Sequence, residues 1–172
     1  MYILFENPMA ARFRNRNNNI LKIHNENCLD NNNTADCNCT KIQKVNSMKY
    51  LGVFFQKDLK WRTHTQYVKN KLNSIAFQMH FSKDILSIPV KVMIYKTLCE
   101  SILRYAIETY GYTSEENIKP IKTTQKRIIK STIYPFTSKR DRKEKMTEYQ
   151  ILSFPNLYKF IVITKHDLDY SR

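Results

Sequence analysis

The apolar residues of this chain change their spacing at Trp61, and this change constrains the fold more than any other feature. Before Trp61, residues 45–55 are rich in aromatic and β-branched side chains and contain no proline, which is typical of a strand. Residues 41–45 and 48–55 are together predicted to form a strand or a hairpin. After Trp61, apolar residues recur at steps of four, three and four, which predicts one buried face of a helix. These residues are Val68, Leu72, Ile75 and Met79. We therefore expect an α+β chain, with a small antiparallel sheet in the N-terminal part followed by a mainly α-helical bundle.

Two further long helices are predicted. The second helix opens at Pro89, a favourable first-turn position, and ends near Gly111, where glycine suits a C-cap. Its expected buried face comprises Val92, Tyr95, Leu98, Ile102 and Tyr105. The third helix begins at Ser114, with two acidic residues in its first turn, and ends before Pro135. We interpret residues 137–145 as a charged linker and expect short helices over 146–152 and 156–165.

Residues 7–40 are dense in asparagine and poor in large apolar side chains, which predicts a long loop carrying a short strand over 20–24. Four potential zinc ligands lie in or beside this loop: His24, Cys28, Cys37 and Cys39. Common zinc knuckles use C-x2-C or C-x4-C pairs, and the C-x-C spacing fits them poorly. We therefore predict free thiols in a variable loop, with a zinc site as the alternative.

The formal net charge is +14 and the isoelectric point is near 9.7, which favours a polyanionic partner. A membrane surface would also attract such a chain, but no stretch approaches the ~18 uninterrupted apolar residues of a spanning helix. The first residues also lack the basic region and the apolar length of a signal peptide. We expect a non-membrane, intracellular protein, in nucleus or cytoplasm. With two glycines, Gly52 and Gly111, a phosphate-binding glycine loop is excluded.

Basic residues are concentrated on the third predicted helix. Lys122, Lys126 and Lys130 are spaced by four, so they share one side of that helix. A row of like charges destabilises a helix by roughly a few tenths of a kcal/mol per pair, which is easier to explain if phosphates lie opposite. We predict nucleic-acid contact through these lysines and Arg127. Lys69 and Lys71, near Tyr67 on the first helix, are further candidates, and a solvated charged face is the alternative.

Catalytic residues are not assigned. Metal-dependent nucleotide transfer needs acidic side chains within reach of two metal ions, and the acidic residues of this sequence are scattered. His64 follows Trp61 at the predicted start of the first helix. We interpret it as a helix N-terminal or interfacial histidine, with a catalytic base as the alternative.

Several motifs occur in a characteristic order. Lys49-Tyr50-Leu51-Gly52 lies in the predicted strand and is followed by Leu59, Trp61 and His64 in an L-x-W-x-x-H arrangement. This order resembles the segment after the polymerase palm in reverse transcriptases of non-LTR retrotransposons, the jockey-like group in particular. Later segments resemble motifs of that family in the same order, so that the resemblance covers roughly residues 41–160. These segments lie in 95–105, 125–128 and 148–158, and they include Gln125-Lys126-Arg127.

The resemblance implies a role for each part of the chain. Residues 1–57 would be the end of the palm, with the loop 7–40 and the KYLG strand, and residues 58–172 would be a helical, thumb-like domain. Lys49, Tyr50, Leu51 and Gly52 would belong to the primer grip, and the helices would bind an RNA–DNA or DNA duplex through its phosphates. The sequence departs from the family at Ala106, where glycine is usual, and at Tyr110, where tryptophan is common.

The family's catalytic aspartates, including a Y-x-D-D turn, precede the matched segment and have no counterpart in these 172 residues. We therefore expect a fragment of an RNA-directed DNA polymerase that lacks polymerase activity alone. No cofactor is expected in this chain, whereas a complete polymerase would use Mg²⁺. The missing fingers and palm would be its protein partner. Alternatives are a free-standing basic nucleic-acid-binding protein, a non-functional transposon remnant, and a metal-stabilised interaction domain.

Overall fold

A computed structural model describes residues 3, 21–23, 39–136 and 138–170, the last five of them by their backbone alone. The chain divides into two compact units, Met1–Lys60 and Trp61–Arg172. The described part of the first contains two small antiparallel sheets, and the second is helical. The predicted α+β class, with its strands before its helices, is therefore confirmed.

In the first unit, β1 (Lys22–Ile23) pairs antiparallel with β2 (Thr40–Lys41). The pairing is extended by the amide of Ile42, which donates to the carbonyl of Leu21 at 2.8 Å. Within the predicted strand 20–24, the two strand residues are Lys22 and Ile23, while 20 and 24 lie outside the described residues. Most of the predicted asparagine-rich loop lies outside them as well, as do His24, Cys28 and Cys37.

The predicted strand over 45–55 is a β-hairpin instead. Strand β3 (Ser47–Tyr50) pairs with β4 (Val53–Gln56), and Leu51 and Gly52 form the turn between them. Both turn residues have positive φ, 45° for Leu51 and 79° for Gly52. Positive φ at both central residues gives the backbone twist that two-residue hairpins favour, and glycine adopts it without steric cost. The KYLG motif therefore spans a strand end and a turn. Of the predicted strand or hairpin, the hairpin forms, but its turn lies inside the run 45–55 instead of before Met48.

The helical unit begins with α1 (Arg62–Ser82), whose predicted face of Val68, Leu72, Ile75 and Met79 is buried as expected. A second helical run comprises α2 (Ile88–Ile94), a π-helical segment (Tyr95–Glu100) and α3 (Ser101–Arg104). The remaining helices are α4 (Ile107–Tyr110), α5 (Glu115–Thr132), α6 (Lys139–Glu148) and α7 (Phe154–Tyr170). Helix α5 follows the prediction, with Ile118, Ile121 and Ile128 buried on its inner face.

The π-helical segment changes which residues of the second helical run are buried. Val92 and Tyr95 are buried as predicted, but Leu98 and Tyr105 are 46% and 54% exposed. Cys99 and Leu103 take their places in the core. A π-helix has i→i+5 hydrogen bonds and a wider turn than an α-helix, so the buried face moves on by one residue. A prediction based on 3.6 residues per turn could not include this shift.

The end of the second run also differs from the prediction. Tyr105 is extended, and Ala106 has φ 54° and ψ 24°, which breaks the helix before α4 begins. Gly111 has φ −67° and is therefore not a left-handed C-cap. Instead, a Cβ at this position would lie 2.5 Å from the carbonyl oxygen of Ile107 and would overlap the ring of Tyr158. Glycine therefore suits this position because its neighbours leave no space for a Cβ atom.

Residues 139–145, predicted as part of a charged linker, form most of α6 (Lys139–Glu148). Ser138 is its N-cap and accepts a hydrogen bond from the amide of Asp141 at 3.0 Å. Lysine, arginine and glutamate are good helix formers, so the charge that suggested a linker is compatible with a helix. The predicted helix over 146–152 does not form as such, because α6 ends at Glu148 and Gln150 has φ 52°. Among the described residues, none of the helices combines the length and apolar character that crossing a bilayer requires.

Candidate nucleic-acid interface

A groove with a volume of about 640 Å³ lies between α5, α6 and the start of α7. Six of its eleven lining residues are lysine or arginine, and none of these described lining residues is acidic. The six cations are Lys122, Lys126 and Lys130 from α5, and Lys139, Arg142 and Lys143 from α6. Such a concentration of positive charge attracts an anion with several phosphates. We call this site the basic groove.

The helical repeat explains how the two basic rows face the groove. On α5 the lysines recur every four residues, and on α6 Arg142 and Lys143 lie three and four residues after Lys139. The α5 row was predicted from its spacing, whereas the α6 residues were predicted to lie in a linker. An N-cap serine followed by residues with high helix propensity was the signal that could have revealed the second row.

Gln125, which also lines the basic groove, holds the nearby elements together. Its side chain is buried, and its Nε2 donates to the Tyr95 hydroxyl at 2.9 Å and to the Leu152 carbonyl at 3.0 Å. Its Oε1 accepts from the amide of Phe154 at 2.8 Å, at the start of α7. The Gln125-Lys126-Arg127 motif therefore combines a structural glutamine with two exposed cations that face different sites.

Arg127 is directed away from the basic groove. Its Nη2 donates to Oδ1 of Asn73 on α1 at 2.7 Å, and both residues line a separate cavity of about 580 Å³. Lys130 lines that cavity and the basic groove, so it connects the two. The predicted set of Lys122, Lys126, Arg127 and Lys130 is thus divided between neighbouring sites on the two sides of Lys130.

Lys122 is partly neutralised within its own helix. Its Nζ donates to both carboxylate oxygens of Glu115, at 2.8 Å and 2.7 Å, two helical turns earlier. The side chain of Glu115 is 72% exposed, so this is a surface ion pair in water. A phosphate that binds Lys122 must therefore compete with the carboxylate of Glu115.

The other predicted contact residues lie elsewhere. Lys69 and Lys71 belong to α1 and are not among the described residues that line the basic groove, and Nζ of Lys71 lies 4.7 Å from the ring centroid of Tyr67. In the hairpin of the first unit, Lys49 lies over the Phe54 ring at 5.6 Å, and Tyr50 and Leu51 are exposed. The hairpin belongs to the first unit and the basic groove to the second, so we treat them as two candidate sites.

His64 is buried in the core of the helical unit. Its ring meets that of Tyr110 edge-on, with ring centroids 4.7 Å apart. The ring centroid of Trp61 lies 6.4 Å from that of His64. Burial disfavours the charged imidazolium and lowers the pKa of His64 to about 4. This placement supports the structural interpretation of His64, since a general base needs access to the proton it removes.

The described cysteines are free thiols. Cys39 is half-buried, and Cys99 is buried in the core, where burial raises its pKa to about 12. A protonated core thiol packs as a small apolar residue. Within the described part of the chain, histidine, cysteine and acidic side chains form no group that could hold a metal ion. The zinc alternative depends on residues outside that part.

Comparison with known proteins gives one informative match. Over 96 residues the chain is 26% identical to an RNA-directed DNA polymerase from the mobile element jockey of Drosophila funebris. The match covers 54% of this chain and 10% of that protein, so the chain spans about a tenth of the curated relative that it matches. The chain matches no protein-family profile and no solved structure. The similarity to the jockey polymerase supports a relationship to the reverse transcriptases of retrotransposons.

Proposed function

We propose that this chain is a nucleic-acid-binding segment of a retrotransposon reverse transcriptase, and that its helical unit contacts the phosphates of an RNA–DNA or DNA duplex. The observation that carries the proposal is the basic groove, where two helices present six cations around one cavity. Contacts of this kind position a duplex and carry no sequence information themselves. The similarity to the jockey polymerase provides independent support for a nucleic-acid substrate.

The physical chemistry favours phosphate over an isolated carboxylate as the ligand. Lysines that lie along two helices can each neutralise one phosphate of a regularly charged backbone, and every contact releases condensed counterions. The groove is also lined by Ile129, Met146 and Pro155, and lysine side chains can pack their apolar stems on such surfaces while the ammonium group stays in water. Binding should therefore depend steeply on salt concentration.

The test is binding of the purified chain to a fluorescent RNA–DNA duplex over a salt series. A variant with Lys126, Lys130 and Lys143 changed to glutamine should bind more weakly, and its salt slope should decrease by about three, roughly one per lysine. The matched control changes Lys96, Lys119 and Lys159, which are exposed lysines outside the groove, to glutamine. Circular dichroism should show equal folding of all three proteins. Equal loss of binding in both variants would contradict a specific role of the groove.

We further propose that the hairpin turn contacts the primer end, as the KYLG motif suggests. The supporting observation is that Tyr50 and Leu51 at the turn are 59% and 72% exposed. Tyr50→Ala should weaken binding to a duplex with a recessed 3′ end more than binding to a blunt duplex. We also expect the chain to bind primer–template without extending the primer when Mg²⁺ and nucleotides are supplied. Extension by the purified chain would contradict that expectation.

A further inference from the structure

The cavity on the far side of Lys130 differs in character from the basic groove. It has a volume of about 580 Å³ and lies between α1 and α5. Its walls combine an aromatic ring, cationic groups and small side chains: Asn73, Ala76, Phe77, His80, Arg127, Lys130 and Ser131. A site of this composition can stack a planar ring and at the same time attract a phosphate. We call it the aromatic cavity.

Phe77 is an exposed aromatic residue, unlike Tyr95 and Tyr110, which are buried in the core. Its side chain is 65% exposed, on the side of α1 away from the buried face, and it contacts Phe81 one turn later, with ring centroids 4.6 Å apart. The two rings form one exposed aromatic surface, of which Phe77 lines the cavity. Helix packing within the described part of the unit does not cover it.

One cation of the aromatic cavity, Arg127, is held in place by a hydrogen bond to α1. Asn73 accepts hydrogen bonds from Arg127 at 2.7 Å and from the Thr124 hydroxyl at 3.3 Å, which holds the guanidinium of Arg127 across from α1. Lys130 lies between this cavity and the basic groove. A strand bound in the groove could therefore continue past Lys130 into the aromatic cavity without a change in the sign of the surface charge.

We propose that the aromatic cavity binds an unpaired nucleobase, stacked on Phe77, of a strand whose phosphates continue along the basic groove. This inference rests on the proposed function and refines its substrate to a duplex that carries a single-stranded extension. Bases stack on exposed aromatic side chains largely independently of sequence, and neighbouring cations hold the backbone. Paired bases in a duplex are stacked on one another, so the free face of Phe77 can serve an unpaired base alone.

The experiment compares a blunt RNA–DNA duplex with the same duplex carrying a four-nucleotide extension, in which one base is 2-aminopurine. Phe77→Leu keeps an apolar side chain but removes the ring, whereas Phe77→Trp keeps a ring. Tyr112→Leu is the control, because Tyr112 is an exposed aromatic residue outside the cavity. Affinity, 2-aminopurine fluorescence and thermal unfolding are measured for each protein.

If the proposal holds, Phe77→Leu weakens binding of the extended duplex by about 5- to 150-fold, the range of one base–aromatic stack, and leaves the blunt duplex unchanged. The fluorescence change of 2-aminopurine on binding is lost in Phe77→Leu and is retained in Phe77→Trp and in Tyr112→Leu. Retained binding of the blunt duplex shows that the basic groove functions independently of this site.

Three results would overturn the inference. The first is equal affinity of the wild type and Phe77→Leu for the extended duplex. The second is an equal loss for blunt and extended duplexes, which would assign Phe77 to the fold or to the duplex contact. The third is a change in oligomeric state of Phe77→Leu without a change in binding, which would make this face an interface between copies of the chain. Failure of the proposed function is distinct, because blunt-duplex binding would then be absent or insensitive to the groove lysines.

Discussion

Lys122 and Glu115 lie two turns apart on α5, and the ammonium group of the lysine donates to both oxygens of the carboxylate. The lysine lines the basic groove, while the glutamate belongs to the first turn of the helix. Glu115 therefore has two effects in α5. Its negative charge complements the helix dipole, and its carboxylate competes with a ligand for the ammonium group of Lys122.

Glu115→Gln should release Lys122 and increase duplex affinity. Surface ion pairs contribute up to about 1 kcal/mol, so we expect an increase of up to about fivefold at low salt that disappears as salt is raised. Glu116→Gln is the control, because Glu116 occupies the same first turn, so that it has a similar effect on the helix dipole. Equal affinities of the two variants would show that the ion pair does not limit binding.

The burial of His64 against Tyr110 predicts a pH dependence of stability. The unfolded chain binds a proton near the usual histidine pKa of 6.5, whereas the folded chain resists protonation until its pKa of about 4. The stabilisation by neutral His64 is therefore complete above pH 6.5 and is lost as the pH falls from 6.5 towards 4. Between pH 7 and pH 5 we expect the free energy of unfolding to decrease by roughly 2 kcal/mol from this residue.

Urea unfolding at pH 7, 6 and 5 measures this decrease, and His64→Phe is the matched variant. Phenylalanine keeps an aromatic ring against Tyr110 but has no proton to bind, so its unfolding free energy should vary less with pH over this range. If the wild type and the variant show the same pH dependence, the acid sensitivity arises from other groups.

Gln125→Leu should be strongly destabilising. The variant leaves three hydrogen-bonding groups without their present partner: the Tyr95 hydroxyl, the Leu152 carbonyl and the Phe154 amide. An unsatisfied buried group costs about 1–3 kcal/mol, so we expect a loss of about 3–5 kcal/mol in the free energy of urea unfolding. Tyr95→Phe removes one of these partners and should cost about 1 kcal/mol. A Gln125→Leu protein as stable as the wild type would show that water or rearrangement replaces these bonds.

Ala106→Gly should stabilise the helical unit. Ala106 has φ 54°, a left-handed conformation that costs an L-residue about 1–2 kcal/mol, while glycine adopts it freely. Because glycine also loses more entropy on folding, we expect a net gain of about 0.5 kcal/mol. Thermal unfolding should show a higher Tm for Ala106→Gly and a lower one for Ala106→Val, whose β-branched side chain is disfavoured at positive φ. The opposite order would show that contacts of the methyl group dominate at this position.

The parts of the fold that could be predicted are those set by local sequence. The faces of α1 and α5 were predicted correctly because apolar residues recur there at the α-helical period and both helices are regular. The second helical run was predicted less well, because the π-helical turn at Tyr95–Glu100 changes the period inside one helix. Gly111 was assigned to a C-cap, whereas its position is explained by the ring of Tyr158, 47 residues later in the chain.

One half of the basic groove, the α5 row, could be predicted from the sequence, and the other half could not. The α5 lysines could be identified because a spacing of four places them on one side of a helix whatever it packs against. The α6 cations could not be assigned to the same site, because charge density alone does not distinguish a linker from a polar helix. The aromatic cavity was missed since Phe77 and Arg127 are 50 residues apart, and they become neighbours when α1 packs on α5.

The amino-acid sequence alone determined the fold class, the excess of positive charge, the register of two helices and the similarity to a reverse transcriptase segment. These properties depend on residue type and on spacing along a single element. Tertiary structure decided the direction of Arg127 towards Asn73 and the meeting of two basic rows in one groove. These properties depend on distances between elements, which packing sets and spacing along the chain does not specify.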